Sequence, residues 1–218
     1  YSDLDIEKLP QSGGDRGYYR NYTAEKNFIA TYSTNLKETE TFLYFTEHFK
    51  NADAPVPAVY AVNEEGSIYI QEDFGNVSLL DTLEKEGLND HTKTLFKKTL
   101  KALANLQVNG DRNLNYAQCI TGKEFGRQAI LSDLLYFKYY FLDTLKIPYD
   151  KEKLGNDLHA LSEYLNNADL KYFMFRDFQS RTVMVQDVAV CFIDYQGGMK
   201  VDMQLELASL LWRAREVV

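Results

Sequence analysis

With 218 residues, 45% of them hydrophobic, the chain is long enough to bury a sizeable core, and its 16 Tyr and 13 Phe exclude an intrinsically disordered polymer. Its 24 Lys and Arg stand against 32 Asp and Glu, so a net charge of −8 repels a nucleic-acid backbone, and the basic residues form no stripe that would offset this. Cys119 and Cys191 lie far apart in apolar settings and read as reduced, buried thiols with no disulfide-linked partner, and no apolar run is long enough to span a membrane, so a cytoplasmic protein is expected.

In chain order, Gly13-Gly14 marks a turn, residues 28–32 read as a strand, and residues 67–71 alternate as another. Between them Phe42, Phe45 and Phe49 fall at i, i+3 and i+7, which predicts an amphipathic helix over 36–49 packed on that sheet. Pro55-Val56-Pro57 turns the chain back. After Phe74-Gly75 the pattern changes from strands to helices, and Ser78 with Asp81 forms a predicted capping box. Helices are predicted over 95–107, 128–145 and 154–165. The middle one is apolar nearly all round and is expected to be buried; the last carries Leu154, Leu158, Leu161 and Leu165 on one stripe. These elements give an α+β chain in two parts, a small β-rich lobe over 1–74 and a larger, mainly helical lobe over 75–218. The chain starts at Tyr1 without Met and stops soon after an apolar helix at 205–212, so both ends are expected to be incomplete.

Residues 183–185 and 188–193 read as a β-hairpin turning at Gln186-Asp187. Asp177 precedes the first strand and Asp194 follows the second. A hairpin brings its open ends together, so two carboxylates are delivered to one place. Phosphoryl transfer needs such a pair, one acid to orient the attacking hydroxyl and one to hold magnesium over the phosphates. The kinase loop pattern H-R-D-x-x-x-x-N finds Phe175-Arg176-Asp177-Phe178-Gln179-Ser180-Arg181-Thr182, and the D-F-G position finds Asp194-Tyr195-Gln196 before Gly197-Gly198. Asp177 is therefore a candidate catalytic residue, with Arg181 of the same loop a second, and Asp194 and Thr182 are the candidate magnesium ligands. Taken singly, an Arg-Asp pair is more often a surface ion pair and an Asp after a strand a turn residue; the intervening hairpin makes the combination informative. His48, His91 and His159 show no metal-ligand spacing, and Ser180 has no nearby His to activate it.

The run Tyr172-Phe-Met-Phe-Arg-Asp-Phe-Gln-Ser-Arg-Thr-Val-Met-Val185, with Phe192-Ile-Asp-Tyr-Gln-Gly-Gly198, resembles the aminoglycoside phosphotransferase and choline kinase-like superfamily. Within it the chain looks most similar to the bacterial branch of cell-wall amino-sugar kinases acting on N-acetylmuramate and N-acetylglucosamine. Ser12-Gly-Gly-Asp-Arg16, Tyr18-Tyr-Arg20, Asn35 to Glu40 and Ile70 to Gly75 extend the likeness over nearly the whole chain.

That resemblance implies a protein-kinase-like bilobal fold with ATP and Mg2+ as cofactors. It puts Gly13, Gly14, Asp15 and Arg16 in the loop over the nucleotide phosphates, with an ordinary hairpin turn as the alternative. Glu72, Asp73 and Phe74 correspond to the hinge that holds adenine through its backbone, and Glu38 to the glutamate of the first-lobe helix, with Glu40 close enough to compete. The lysine usually found on the preceding strand is missing, and Arg16 or Arg20 is left to supply its charge. Phe175 replaces a histidine. Thr182 replaces the asparagine metal ligand with a shorter, β-branched side chain, which implies altered metal binding. Glu206 stands where an aspartate braces the catalytic loop. The helix over 128–145, with Asp133, Tyr136 and Tyr139, would flank the acceptor, although its aromatic stripe also fits core packing. The function implied is transfer of the ATP γ-phosphate to a hydroxyl of a small molecule, a sugar or amino sugar. The alternative is a nucleotide-binding regulator that has lost transfer, motivated by Thr182 and the absent lysine.

Overall fold

The computed structural model describes residues 5–10, 15–167 and 170–214, so the turn expected at Gly13-Gly14 lies outside the described residues. Strands β1 (Asp5–Lys8), β2 (Gly17–Tyr22), β3 (Phe28–Tyr32), β4 (Val59–Val62) and β5 (Ile68–Glu72) form one antiparallel sheet in the order β1-β2-β3-β5-β4. Its register sets Tyr18, Thr31 and Tyr69 side by side on three adjacent strands.

Helix α1 (Leu36–Asn51) begins where the Asn35 side chain accepts a hydrogen bond from the Glu38 N–H, a standard N-cap. Its buried face carries the three phenylalanines anticipated from their spacing. Phe42 stacks on Tyr69 at 4.8 Å and on Tyr195 at 5.4 Å, while Phe49 meets Phe173 at 4.7 Å and Tyr195 at 5.8 Å. Helix and sheet are thereby joined to elements more than a hundred residues later, and one core runs from Phe42 to Leu210.

The capping box of Ser78 and Asp81 opens α2 (Leu79–Glu86), and an equivalent box of Asn89 and Thr92 opens α3 (Asp90–Asn105), which continues as a π-helical turn over Leu106–Gly110. Next come α4 (Arg127–Phe137), extended by a second π-helical turn over Lys138–Asp143, and α5 (Lys151–Asn166). Four short strands follow in two antiparallel pairs. Strand β6 (Lys171–Met174) pairs with β9 (Met199–Asp202), and between them β7 (Val183–Gln186) pairs with β8 (Ala189–Phe192), before α6 (Gln204–Ala214). The hairpin anticipated from the sequence is present, turning at Asp187-Val188. Both cysteines are buried and unbridged, and burial pushes each thiol up to about 11. Among the described residues no helix is long and apolar enough to cross a membrane.

Two packing expectations fail. Only Ile130 of α4 is buried, while Tyr136, Phe137, Tyr139, Tyr140 and Phe141 are exposed. On α5, Leu158 is buried but Leu161 and Leu165 are not. The two helices pack on each other, and the apolar residues beyond that seam turn outward, where Tyr136 stacks on Tyr140 and Phe137 on Phe141 one helical turn apart. An all-round apolar composition does not name a partner for every face.

A glycine is required where the chain passes the β6 strand after Asp194. A Cβ on Gly198 would lie 2.1 Å from the Phe173 ring and 2.6 Å from the Met174 carbonyl oxygen, and Phe173 is fully buried. Gly198→Ala is expected to destabilise the fold by roughly 1–3 kcal/mol. Denaturant unfolding measures it, and an unchanged midpoint would show that the ring has room to move.

Candidate active site

The β7–β8 hairpin organises the site. Its two-residue turn places Asp187 at φ 53°, as a tight hairpin turn demands. At the open end Val183 faces Phe192, and the ladder gains one further step where the Ile193 N–H donates to the Thr182 carbonyl at 3.2 Å. The loop carrying Asp177 and the segment carrying Asp194 therefore leave the same end of the hairpin. The hairpin is itself held from both flanks, since Val185 N–H donates to Val77 O at 2.8 Å and Phe192 N–H to Pro55 O at 2.7 Å.

On the loop, Asp177 is about half exposed and accepts hydrogen bonds from Arg181 Nη2 at 2.7 Å and from Gln179 Nε2. Arg176 precedes it at φ 76°, a left-handed conformation that costs a non-glycine residue free energy. Its backbone N–H is held by Glu206 Oε1 at 3.3 Å, from the first turn of α6. Glu206 is buried, and burial pushes its carboxyl up to about 7, against the opposing effect of the backbone donors at Phe175 and Arg176.

Thr182, the expected second metal ligand, is engaged within its own loop. Its hydroxyl accepts from the Gln179 N–H at 3.2 Å and donates to the Gln179 carbonyl at 3.0 Å, and the side chain is buried. A short β-branched side chain reaches its own loop backbone more readily than it reaches across a cleft, so its proton serves the loop.

Asp194 also has a left-handed backbone, φ 68°. Its Oδ1 accepts from Gln196 Nε2 at 2.9 Å and lies 3.6 Å from Arg16 Nη2, which is itself 3.2 Å from Glu38 Oε1. The Arg16 guanidinium lies 5.6 Å from the centre of the Tyr18 ring. Burial acts to lower its pKa, but Tyr18, Tyr69, Glu38 and Asp194 together hold it above the ordinary value. Burial pushes the Tyr18 hydroxyl up to about 12. Of the two helix glutamates, Glu38 is the one paired with Arg16; Glu40 is exposed.

Arg20 has a different task. Buried on β2, it donates from Nε to Asp73 at 2.6 Å, from Nη2 to Asp73 at 3.0 Å and to Gly75 O at 3.3 Å, and from Nη1 to Asn76 at 2.6 Å. This forked grip fixes the segment after β5. The Glu72 side chain accepts from the Ala58 N–H at 3.0 Å.

A cleft of about 300 Å³ brings Arg16, Tyr18, Glu72, Asp73, Phe74 and Asp194 together over an apolar floor that includes Ile29, Met184 and Ile193. Glu38 reaches it through Arg16. Asp177 and Arg181 are on the adjoining loop and not among the cleft's lining residues, Asp15 is exposed and also outside the lining, and Gly13 and Gly14 lie outside the described residues. Asn76, Tyr69 and Gln196 line the cleft without having been anticipated, because no local pattern distinguishes a neutral side chain brought in by the β5 register, as Tyr69 is, or by a bond to a distant or neighbouring charged group, as Asn76 is to Arg20 and Gln196 to Asp194. Among the described residues no three His, Cys, Asp or Glu side chains cluster as a metal cage.

No family model matches the sequence, and no curated protein matches it. Solved structures do match. A thermostable mutant of aminoglycoside phosphotransferase APH(4)-Ia, in ternary complex with ADP and hygromycin B, superposes with a TM-score of 0.65 at 16% identity, over 96% of this chain and 74% of that one. Choline kinase LicA from Streptococcus pneumoniae gives 0.64 at 17% identity, over 97% and 70%, and a choline/ethanolamine kinase family protein from Mesorhizobium loti gives 0.64 at 12%, over 98% and 66%. This chain has the fold of these kinases. The kinase-like α+β architecture anticipated from the sequence is therefore observed.

Within this kinase fold the buried Glu206 makes stability depend on pH. Its carboxyl holds a proton up to about 7 in the folded chain but loses it near 4.5 when unfolded, so the folded form binds more protons between those values and stability falls as pH rises through them. Glu206→Gln keeps an acceptor for Arg176 and removes the charge. The variant is expected to gain thermal stability relative to the parent as pH is raised from about 5 to about 8. Parallel melting curves that keep a constant offset over that range would contradict this.

Proposed function

We propose that this protein is an ATP-dependent phosphotransferase that moves the γ-phosphate to a hydroxyl of a small molecule, a sugar or amino sugar. The observation that carries the reading is the cleft bounded by the Glu72–Gly75 segment at one end and by Asp194 at the other, with the Asp177 loop leaving the same hairpin end as Asp194. Solved neighbours of the same fold were captured with ADP or AMP-PNP and hygromycin B, which supports a nucleotide in this cleft.

The apolar floor at Ile29, Met184 and Ile193 excludes water from a flat ring, while the backbone of Asp73 and Phe74 offers it hydrogen-bonding groups, the Glu72 N–H being already paired with the Ala58 carbonyl at 2.8 Å. Asp194, open to the cleft and without a protein cage around it, suits Mg2+ bound by one or two carboxylates with the remaining ligands from phosphate oxygens and water. When bound, that ion supplies neutralising charge to the transferred group. Asp177 accepts a hydrogen bond from the attacking hydroxyl and takes its proton. Arg181 and Gln179 each hold the Asp177 carboxylate, which has lone pairs left for the acceptor, so its direction is fixed before the acceptor arrives. Glu206 holds the strained turn beneath it.

The acceptor class rests on α4. Asp133 lies 4.0 Å from Arg176, the neighbour of Asp177, and Tyr136 and Tyr140 follow it at i+3 and i+7 on one face. Exposed tyrosines of this kind suit the faces of sugar rings. The resemblance to amino-sugar kinases points the same way.

A second reading, a nucleotide-binding regulator without transfer, is favoured by the Thr182 hydroxyl being engaged within its own loop. An assay of ATP consumption and product formation across N-acetylated amino sugars, other sugars and amino alcohols separates the two. Transfer is expected, and Asp177→Asn should lower turnover by roughly 10²–10⁴-fold while ATP binding persists. ATP-dependent thermal stabilisation with no phosphorylated product from any acceptor would favour the regulator.

A further inference from the structure

Any phosphate in the cleft needs a positive charge near Asp194, and the sheet does not provide one from its central strand. Ile29 of β3 lines the cleft, and the next residue on the same strand face is Thr31, neutral and fully buried between Tyr18 and Tyr69. Lys26 lies at the exposed end of the sheet, hydrogen-bonded to the Tyr60 hydroxyl at 2.6 Å. Among the described lining residues the cations are Arg16 and Arg20, and Arg20 is consumed by Asp73, Gly75 and Asn76.

Resting on the phosphotransferase reading, we infer that Arg16 is the phosphate-holding cation of this protein, delivered from the start of β2, and that Glu38 is the positioning residue that aims it. Arg16 sits against the row of Tyr18, Thr31 and Tyr69, so it enters the space above β3 from the neighbouring strand. Both of its acceptors depend on α1. Glu38 is in the first turn of that helix, capped by Asn35, and Asp194 is followed by Tyr195, whose buried hydroxyl meets Thr46 of the same helix at 2.5 Å. One helix therefore fixes both carboxylates that hold the guanidinium. The contacts of 3.2 Å and 3.6 Å leave its remaining N–H donors able to engage phosphate oxygens, and a planar fork suits those better than a point charge does.

The test compares ATP with adenosine, which lacks phosphates, by calorimetry in magnesium buffer. Arg16→Ala should weaken ATP binding by about tenfold or more and leave adenosine binding within about twofold, with Arg16→Lys recovering part of the loss. Glu38→Gln should weaken ATP in the parent protein but add little when Arg16 is already Ala, because the two residues act through one another. Equal loss of ATP and adenosine binding in both Arg16 variants would mean that Arg16 only supports the fold, and unchanged ATP binding would remove it from the site; either result overturns the inference while leaving the phosphotransferase reading standing. Wild-type protein that binds neither nucleotide overturns that reading and this inference together.

Discussion

The seating of Tyr195 against α1 is the contact on which the remainder of the site depends. Its ring lies against Phe42 and Phe49, its hydroxyl is bonded to Thr46, and it is entirely buried. A polar tip placed so deeply must keep its partner, since an unmade bond there costs about 1–3 kcal/mol. The neighbouring Asp194 is thus pinned relative to the helix that carries Glu38. Two charged groups far apart in sequence come to share Arg16 because an aromatic cluster lies beneath them.

Around this anchor the backbone is held in unfavourable geometry at two places, Arg176 and Asp194, each next to or at a carboxylate of the proposed chemistry. Left-handed non-glycine residues persist only where their surroundings over-determine them. Glu206 does this for Arg176, and the β7–β8 ladder with the close passage of Gly198 over Phe173 does it for Asp194. The acids are aimed by backbone that cannot relax, which is an economical way to orient short side chains.

Much of this was legible in the sequence where a pattern is local. The phenylalanine spacing of α1, the Ser78–Asp81 box and the hairpin between Asp177 and Asp194 are each set by residues within a few positions, and each is observed. What was not legible depends on distant partners. Arg16 and Arg20 differ little in sequence context, and only the sheet register sends one to Asp194 and the other to Asp73. Thr182 stands in the asparagine column of the loop motif, and only the structure shows its hydroxyl turned back on Gln179. The apolar run of α4 was read as core because composition records what a helix could bury and not what lies beside it.

The two arginines also divide the cleft mechanically. Arg20 clamps the segment after β5 with four hydrogen bonds of 2.6–3.3 Å and little solvent access, whereas Arg16, four residues earlier in the chain, is held by two ion pairs of 3.2 and 3.6 Å and is more solvated. One jaw is consequently a fixed reference and the other an adjustable stop. On the proposed reading, a ligand's ring would be registered first against the rigid side, and differences in the length or charge of its tail would be absorbed at the compliant one.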